Sequence, residues 1–168
     1  NVTIGLTKQG FVGYYISALG ADSNGHFLRA ALEKQGISTA YIAENSQART
    51  GIYFKERVTK GDPVIEYARA NSAASQLQLS ELPAIDFTDV GVLHLTGISG
   101  AISTQMFKNV EQLILEAHKA GVLITFDPNI RPALWSSQEK MIGSLNHLAA
   151  QCDIILPGLG EGYLLTGY

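Results

Sequence analysis

Three strong hydrogen-bonding side chains occupy alternate positions in "FDPNIRPALW", residues 126–135: Asp127, Asn129 and Arg131. A turn needs Pro128 and Asn129 for its backbone, but it does not need all three polar groups. An arginine offers a planar, permanently charged fork that matches carboxylate or phosphate oxygens. The stretch is therefore suited to anion recognition, and the residue types leave two arrangements open. Asp127 can bond the loop's own amides and pair with Arg131 across the turn. Alternatively, Asn129 and Arg131 can point outward to a ligand's anionic oxygens.

A second group lies in "EYARANSAAS", residues 66–75, where Tyr67 and Arg69 share one face of an extended segment and Ala68 takes the other. Cross-strand packing with Tyr53 and a solvated charge would account for the pair without any ligand. Ser72 and Ser75 read as turn or cap residues. A third candidate is the glycine-rich "PGLGEGYLLTG", which is neither G-x-x-x-x-G-K-[ST] nor G-x-G-x-x-G. There Glu161 stands at a helix start, where an acid also favours the macrodipole. The four histidines, His26, His94, His118 and His147, are scattered without metal-ligand spacing. Cys152 precedes an apolar strand and reads as buried and inert.

The elements that must position these groups follow from periodicity. "NVTIGLTKQG" reads as a helix running to a glycine stop, and "FVGYYISALG" as a strand ending at Gly20. "ADSNGHFLRAALEKQG" places Phe27, Leu28, Ala31 and Leu32 on one helical face. "GIYFKERV" and "PVIEYAR", joined through "TKGD", alternate as a hairpin and read as a flap outside the main sheet. "VGVLHLTG" is a strand. "STQMFKNVEQLILEAHKAG" is a helix capped by Ser103 or Thr104, stopped by Gly121, and lined by Met106, Val110, Leu113, Ile114 and Ala117. "VLITFD" and "DIILP" are apolar strands. Between them "SSQEKMIGSLNHLAAQ" is a helix, with Glu139 placed for a capping box against Ser136. Apolar strands alternating with helices predict βαβ crossovers, a parallel sheet and an α/β class with a small β appendage. Ligands of such sheets bind at the carboxyl ends of strands. The loops at 96–100, 127–131 and 157–162 are thus expected along one rim.

The bulk properties fit one domain of 168 residues, with 46% apolar and 16% charged residues and a net charge of -3. That charge gives no basic field for nucleic acid or anionic membrane, and no apolar window approaches the roughly 18 residues of a membrane span. One cysteine suits a reducing, cytoplasmic setting. The chain also reads as cut at both ends, since it opens inside a helical pattern and stops just after another.

Taken together, these stretches resemble the ribokinase-like (PfkB-type) carbohydrate kinases. The likeness runs through "NVTIGLTKQG", "ALGADSNGHFLRAALEKQGI", "TGIYF", "YARANSAAS", "LHLTGIS", "FDPNIRPALW" and "DIILPGLGEGYLLTG". "LGADSNG" and "FDPNIR" are similar to superfamily patterns. "YARANSAAS" combined with "FDPNIRPALW" resembles the 2-keto-3-deoxygluconate kinase branch. The resemblance implies a three-layer ribokinase-like sandwich over residues 1–168, with a mostly parallel central sheet and a β flap at about 48–70. It implies ATP-dependent phosphorylation of a keto-deoxy sugar acid on its 6-hydroxyl, with Mg2+ at the phosphates and a monovalent cation left open. Carried onto this chain, Tyr53, Tyr67, Arg69, Ile98 and Arg131 would meet the sugar acid. Asn129 and Arg131 would lie on the nucleotide's phosphate side, and Glu161 would act indirectly on Mg2+. Gly158 stands where the family pattern Asn-x-x-Glu has Asn.

The resemblance also implies a substrate-side diglycine motif upstream of Asn1. It implies a Gly-Ala-Gly-Asp segment, bearing the general-base Asp, beyond Tyr168. No catalytic residue is therefore expected within the chain, which by itself should be inactive. The exposed edge of the flap suggests a homodimer or higher homo-oligomer. Two other functions fit the same residues: a kinase for a neutral sugar or nucleoside, and a non-catalytic sugar-binding relative.

Overall fold

The computed structural model describes residues 1–60 and 65–168. These form two compact units, Asn1–Ile85 and Asp86–Tyr168.

The first unit opens with helix α1 (Val2–Lys8), and Gly10 beyond it turns the chain at φ +92°. Strands β1 (Gly13–Tyr14) and β2 (Ser17–Gly20) follow, then helix α2 (Ser23–Lys34), β3 (Ile37–Ser38) and β4 (Ile42–Asn45). β1 pairs with β3 and β2 with β4, both in parallel, so α2 is the crossover for both pairs. Two expectations change here. The strand expected up to Gly20 is interrupted at Tyr15 and Ile16, and each half finds its own partner. The predicted apolar face of α2 is not buried: Phe27 is 71% exposed, and the buried residue of this helix is Gly25. The helix packs through its first turn, where a Cβ on Gly25 would stand 2.1 Å from the Gly20 carbonyl oxygen.

The expected hairpin is present as β5 (Ile52–Lys55) and β6 (Ile65–Ala68), antiparallel, with Tyr53 opposite Tyr67 and Phe54 opposite Glu66. Part of its predicted turn and the start of its second strand fall at 61–64, outside the described residues. Short helix α3 (Ala73–Gln76) follows, and the Ser72 hydroxyl accepts a hydrogen bond from the Ser75 N–H at its start.

The second unit is a parallel sheet in the order β7 (Val92–Thr96), β8 (Leu123–Asp127), β9 (Ile154–Ile155). Its helices are α4 (Gly97–Ala101), α5 (Thr104–Ala120), α6 (Gln138–Ala149) and α7 (Leu159–Thr166). The Ser103 hydroxyl caps α5, and Gly121 ends it at φ +72°. Met106, Val110, Leu113, Ile114 and Ala117 are all buried, as the spacing predicts. Ile124 and Phe126 of the central strand are fully enclosed, and each such side chain stabilises the fold by about 1.5–3 kcal/mol.

β9 is short, but Asp153 extends its hold on β8. Its N–H donates to the Ile124 carbonyl, and its carboxylate accepts the Ile124 N–H at 2.8 Å. The cap of α6 is Ser137, one residue after the expected Ser136, and it accepts from the Lys140 N–H. The helix thus starts one residue too late for the expected Ser136–Glu139 box. Among the described residues, no helix is long and apolar enough to cross a membrane.

Candidate functional site

Register brings the three predicted segments to one edge of the second unit's sheet, although the first of them folds as helix α4 and not as a loop. Thr96 at the end of β7 pairs with Asp127 at the end of β8, and Phe126 pairs with Ile155 of β9. The Leu156 N–H then donates to the Phe126 carbonyl at 2.8 Å. Segments 96–100, 127–131 and 157–162 all leave from this rim. Gly97 lets the first two approach: a Cβ there would meet the Pro128 carbonyl oxygen at 2.1 Å and Leu145 Cδ2 at 2.6 Å.

The 127–131 loop is built around carboxylates. Asp127 Oδ1 accepts the Asn129 N–H at 2.9 Å, and Oδ2 accepts the Asn129 Nδ2 amide at 3.0 Å. This grip holds Asn129 at φ +41°, a left-handed conformation that asparagine tolerates better than most residues. It also fixes the amide's orientation, because only Nδ2 can donate to Asp127. Asn129 Oδ1 is left shielded and without a hydrogen-bond partner, as is the Thr96 hydroxyl on the neighbouring strand end. A shielded acceptor suits a donor, such as a hydroxyl or a metal-bound water, rather than a bare phosphate oxygen.

Glu161 provides the second brace. Its Oε1 accepts the Ile130 N–H at 2.7 Å and its Oε2 accepts the Gly158 N–H at 2.8 Å. One carboxylate therefore fastens the loop after β8 to the start of α7. Arg131 is exposed and donates from Nη1 to the carbonyl of its neighbour Ile130 at 2.8 Å. The Asp127–Arg131 pair, one of the two arrangements left open by the residue types, does not form. Ile98 sits half-buried in α4 on the same rim.

The flap carries the remaining candidates. The rings of Tyr53 and Tyr67 lie 6.4 Å apart across the hairpin, and the Arg69 guanidinium sits 4.1 Å over the Tyr67 ring. Stacking of this kind orients a cation while leaving its charge intact. Tyr53 is 59% exposed, whereas Tyr67 and Arg69 are half-buried.

A family model described as pfkB family carbohydrate kinase matches residues 1–168. The chain belongs to this family. It is 39% identical to a 2-dehydro-3-deoxygluconokinase of Bacillus subtilis, over 99% of this chain and 52% of the relative. It is 30% identical to a probable fructokinase-5 of Arabidopsis thaliana, over 99% of this chain and 51% of that protein. A crystal structure of a PfkB protein from Polaromonas sp. JS666 superposes with a TM-score of 0.93 at 37% identity, covering 99% of this chain and 56% of the other. The ribokinase-like α/β fold is thereby established. The chain spans about half the length of the curated relatives it matches.

Within this pfkB chain, Gly158 leaves α7 without a side-chain cap, and Glu161 takes over by receiving the Gly158 N–H itself. Both Glu161 oxygens are thus engaged by backbone. Among the described residues, no three His, Cys, Asp or Glu side chains gather to hold a metal ion. This donor set does not fit a protein cage for a metal; the shielded Asn129 oxygen would fit a water of a hydrated ion.

Sequence reading passed over a further polar cluster, Asp22 with Thr50. Hydrogen bonds from the Thr50 and Gly25 backbone hold the Asp22 carboxyl below its ordinary value. The signal available was "GADSNG", an Asp three residues before a glycine at a helix start. Cys152 is half-buried, and desolvation, followed by the charge of Asp153, raises its thiol to about 11. It is a poor nucleophile, in line with its inert reading.

Proposed function

We propose that this chain is the substrate-side portion of an ATP-dependent kinase for a keto-deoxy sugar acid such as 2-keto-3-deoxygluconate. The observation that carries the reading is the flap face on which Tyr53, Tyr67 and Arg69 stand together, with the guanidinium oriented by the Tyr67 ring. A fixed cation beside two phenol rings favours a ligand with a carboxylate and hydroxyls over a neutral sugar. The name of the Bacillus subtilis relative supports the same substrate class. In this reading Ile98 forms an apolar wall. Arg131, exposed on the strand-end rim, meets substrate and phosphate oxygens.

Phosphoryl transfer forms a bond between the sugar's 6-oxygen and the γ-phosphorus and breaks the bond to the β–γ bridging oxygen. The hydroxyl proton passes to a general-base Asp expected beyond Tyr168. Magnesium, when bound, neutralises charge on the phosphates. What this chain contributes is orientation. Asp127 shapes the loop, and Asn129 presents an acceptor suited to a metal-bound water. Glu161 ties the loop to α7, while Arg131 offers an exposed cation. The reading includes a cytoplasmic enzyme that pairs through its flap, where Ile52 and Phe54 are exposed on the face opposite the tyrosines.

The test is Arg69→Ala in the complete enzyme. Each charge-assisted bond to a carboxylate contributes about 1.5–3 kcal/mol, so KM for the sugar acid should rise at least tenfold while KM for ATP holds. Unchanged affinity for the sugar acid overturns the reading.

A second reading, a fructokinase-like enzyme for a neutral sugar, is favoured by the 30% identity to the Arabidopsis thaliana relative. It predicts that Arg69→Ala matters little and that fructose is the better acceptor.

A further inference from the structure

The root of the flap is held by a polar clasp that the proposed substrate contacts do not require. Thr50, 5% exposed, lies two residues before β5. Its hydroxyl donates to Asp22 Oδ1 at 2.9 Å and accepts the Gly20 N–H at 2.9 Å. Its own N–H donates to Asp22 Oδ2 at 2.8 Å, and Asp22 Oδ1 also accepts the Gly25 N–H at 2.8 Å. Two residues therefore join three places: the end of β2, the first turn of α2 and the entry to the flap. The chain leaving the flap is tied alongside at the start of α3, since the Ala73 N–H donates to the Arg49 carbonyl at 2.9 Å. A Cβ on Gly51 would lie 3.0 Å from Arg69 Cβ and 3.2 Å from Ser72 Cβ.

We infer that Thr50 and Asp22 are positioning residues, whose clasp sets where Tyr53, Tyr67 and Arg69 stand when the sugar binds. The physical reason is the contrast between root and blade. Ile52, Tyr53, Phe54 and Lys55 are all exposed, so little of the first flap strand is fixed by burial. Its position is then set where it enters the fold, and at that point the fixing groups are hydrogen bonds. Buried networks of this kind specify one arrangement because a broken member leaves its partners unsatisfied. The clasp touches no reacting atom and acts through the flap residues. The inference therefore rests on the proposed role of that flap in substrate binding.

The experiment measures steady-state kinetics of the complete enzyme with Thr50→Val, which keeps the side chain's shape and removes its hydroxyl. The expected result is a rise in KM for the sugar acid of about tenfold, with kcat and KM for ATP within about twofold. Thr50→Ser should restore the wild-type KM. In an Arg69→Ala background Thr50→Val should raise KM by a smaller factor than in wild type, because one of the three groups that the clasp positions is already gone. If Arg69→Ala raises KM and Thr50→Val leaves it unchanged, the clasp is overturned and the substrate reading stands. If Arg69→Ala itself has no effect, the substrate reading fails instead. A fall in kcat with no change in KM also overturns the positioning role. Should Thr50→Val not fold, Asp22→Asn, which retains one acceptor oxygen, takes its place. Hydrogen exchange then serves as a second readout, with faster exchange expected at the amides of residues 52–55 and none of the change at 123–127. Equal acceleration in both segments would mean general destabilisation and would overturn the inference.

Discussion

The flap and the strand-end rim hold their candidate residues in opposite ways. On the rim, the polar groups brace one another: Asp127 grips Asn129, and Glu161 fastens Ile130 to Gly158. The neighbouring strand β8 buries Ile124 and Phe126 completely. On the flap, the candidates stand on a two-stranded ribbon whose first strand is exposed at every residue, and the bracing sits at the root in Asp22 and Thr50. A two-stranded ribbon alone is marginal in water. The rim is thus prepared before any ligand arrives, whereas the flap depends on its anchor.

The largest effect should follow removal of the rim's staple. Glu161→Ala deletes two charge-assisted acceptors, each worth about 1.5–3 kcal/mol when enclosed and less at a half-exposed site. The complete enzyme should lose about a hundredfold in kcat/KM, and Glu161→Gln, with one acceptor oxygen left, should fall between it and wild type. Kinetics that match wild type in Glu161→Ala would remove the idea of a preorganised rim.

A smaller effect should follow acidification at the flap's root. The Asp22 carboxyl is held below its ordinary value of 3.8, first by the Thr50 backbone and then by that of Gly25. The folded protein therefore binds this proton less readily than the unfolded chain. The stabilisation is present at pH above the ordinary aspartate value and is lost as pH falls through the depressed folded value. Melting curves of wild type and Asp22→Asn should differ at neutral pH and converge in strong acid. A gap that stays constant with pH would show that the carboxylate's charge does not matter.

The smallest effect belongs to neither region and serves as a control. Ser137→Ala removes the cap of α6 and should cost about 1 kcal/mol in denaturant unfolding without altering KM, while Ser136→Ala should be silent. A loss at Ser136 would place the helix start one residue earlier.

The second unit was largely legible in the sequence, because its elements announce themselves twice. Helix α5 has a serine cap, a glycine stop and five apolar residues at helical spacing, and all five are buried. The first unit was less legible for a physical reason. β3 has two residues and β4 has four, too few for alternation to stand out in "ISTAYIAEN". For α2, periodicity identified an apolar face but not what that face packs against, and Phe27 remains exposed.

The site shows the same split. Glu161 at a helix start and Asp127 as the loop's organiser could be read from residue type and position. The Asp22–Thr50 clasp joins residues 28 apart, which local spacing does not reveal. That Asn129 would offer a shielded oxygen rather than a donor depended on the Asp127 grip, which arises only in the folded loop.

The most direct measurement is ATP-dependent phosphorylation by the complete enzyme of 2-keto-3-deoxygluconate, fructose, ribose and adenosine, compared by kcat/KM. The expected result is a preference for the sugar acid of about a hundredfold, the scale of one or two charge-assisted bonds that neutral acceptors cannot make. Equal or better turnover of a neutral acceptor, or no turnover of any, would contradict it.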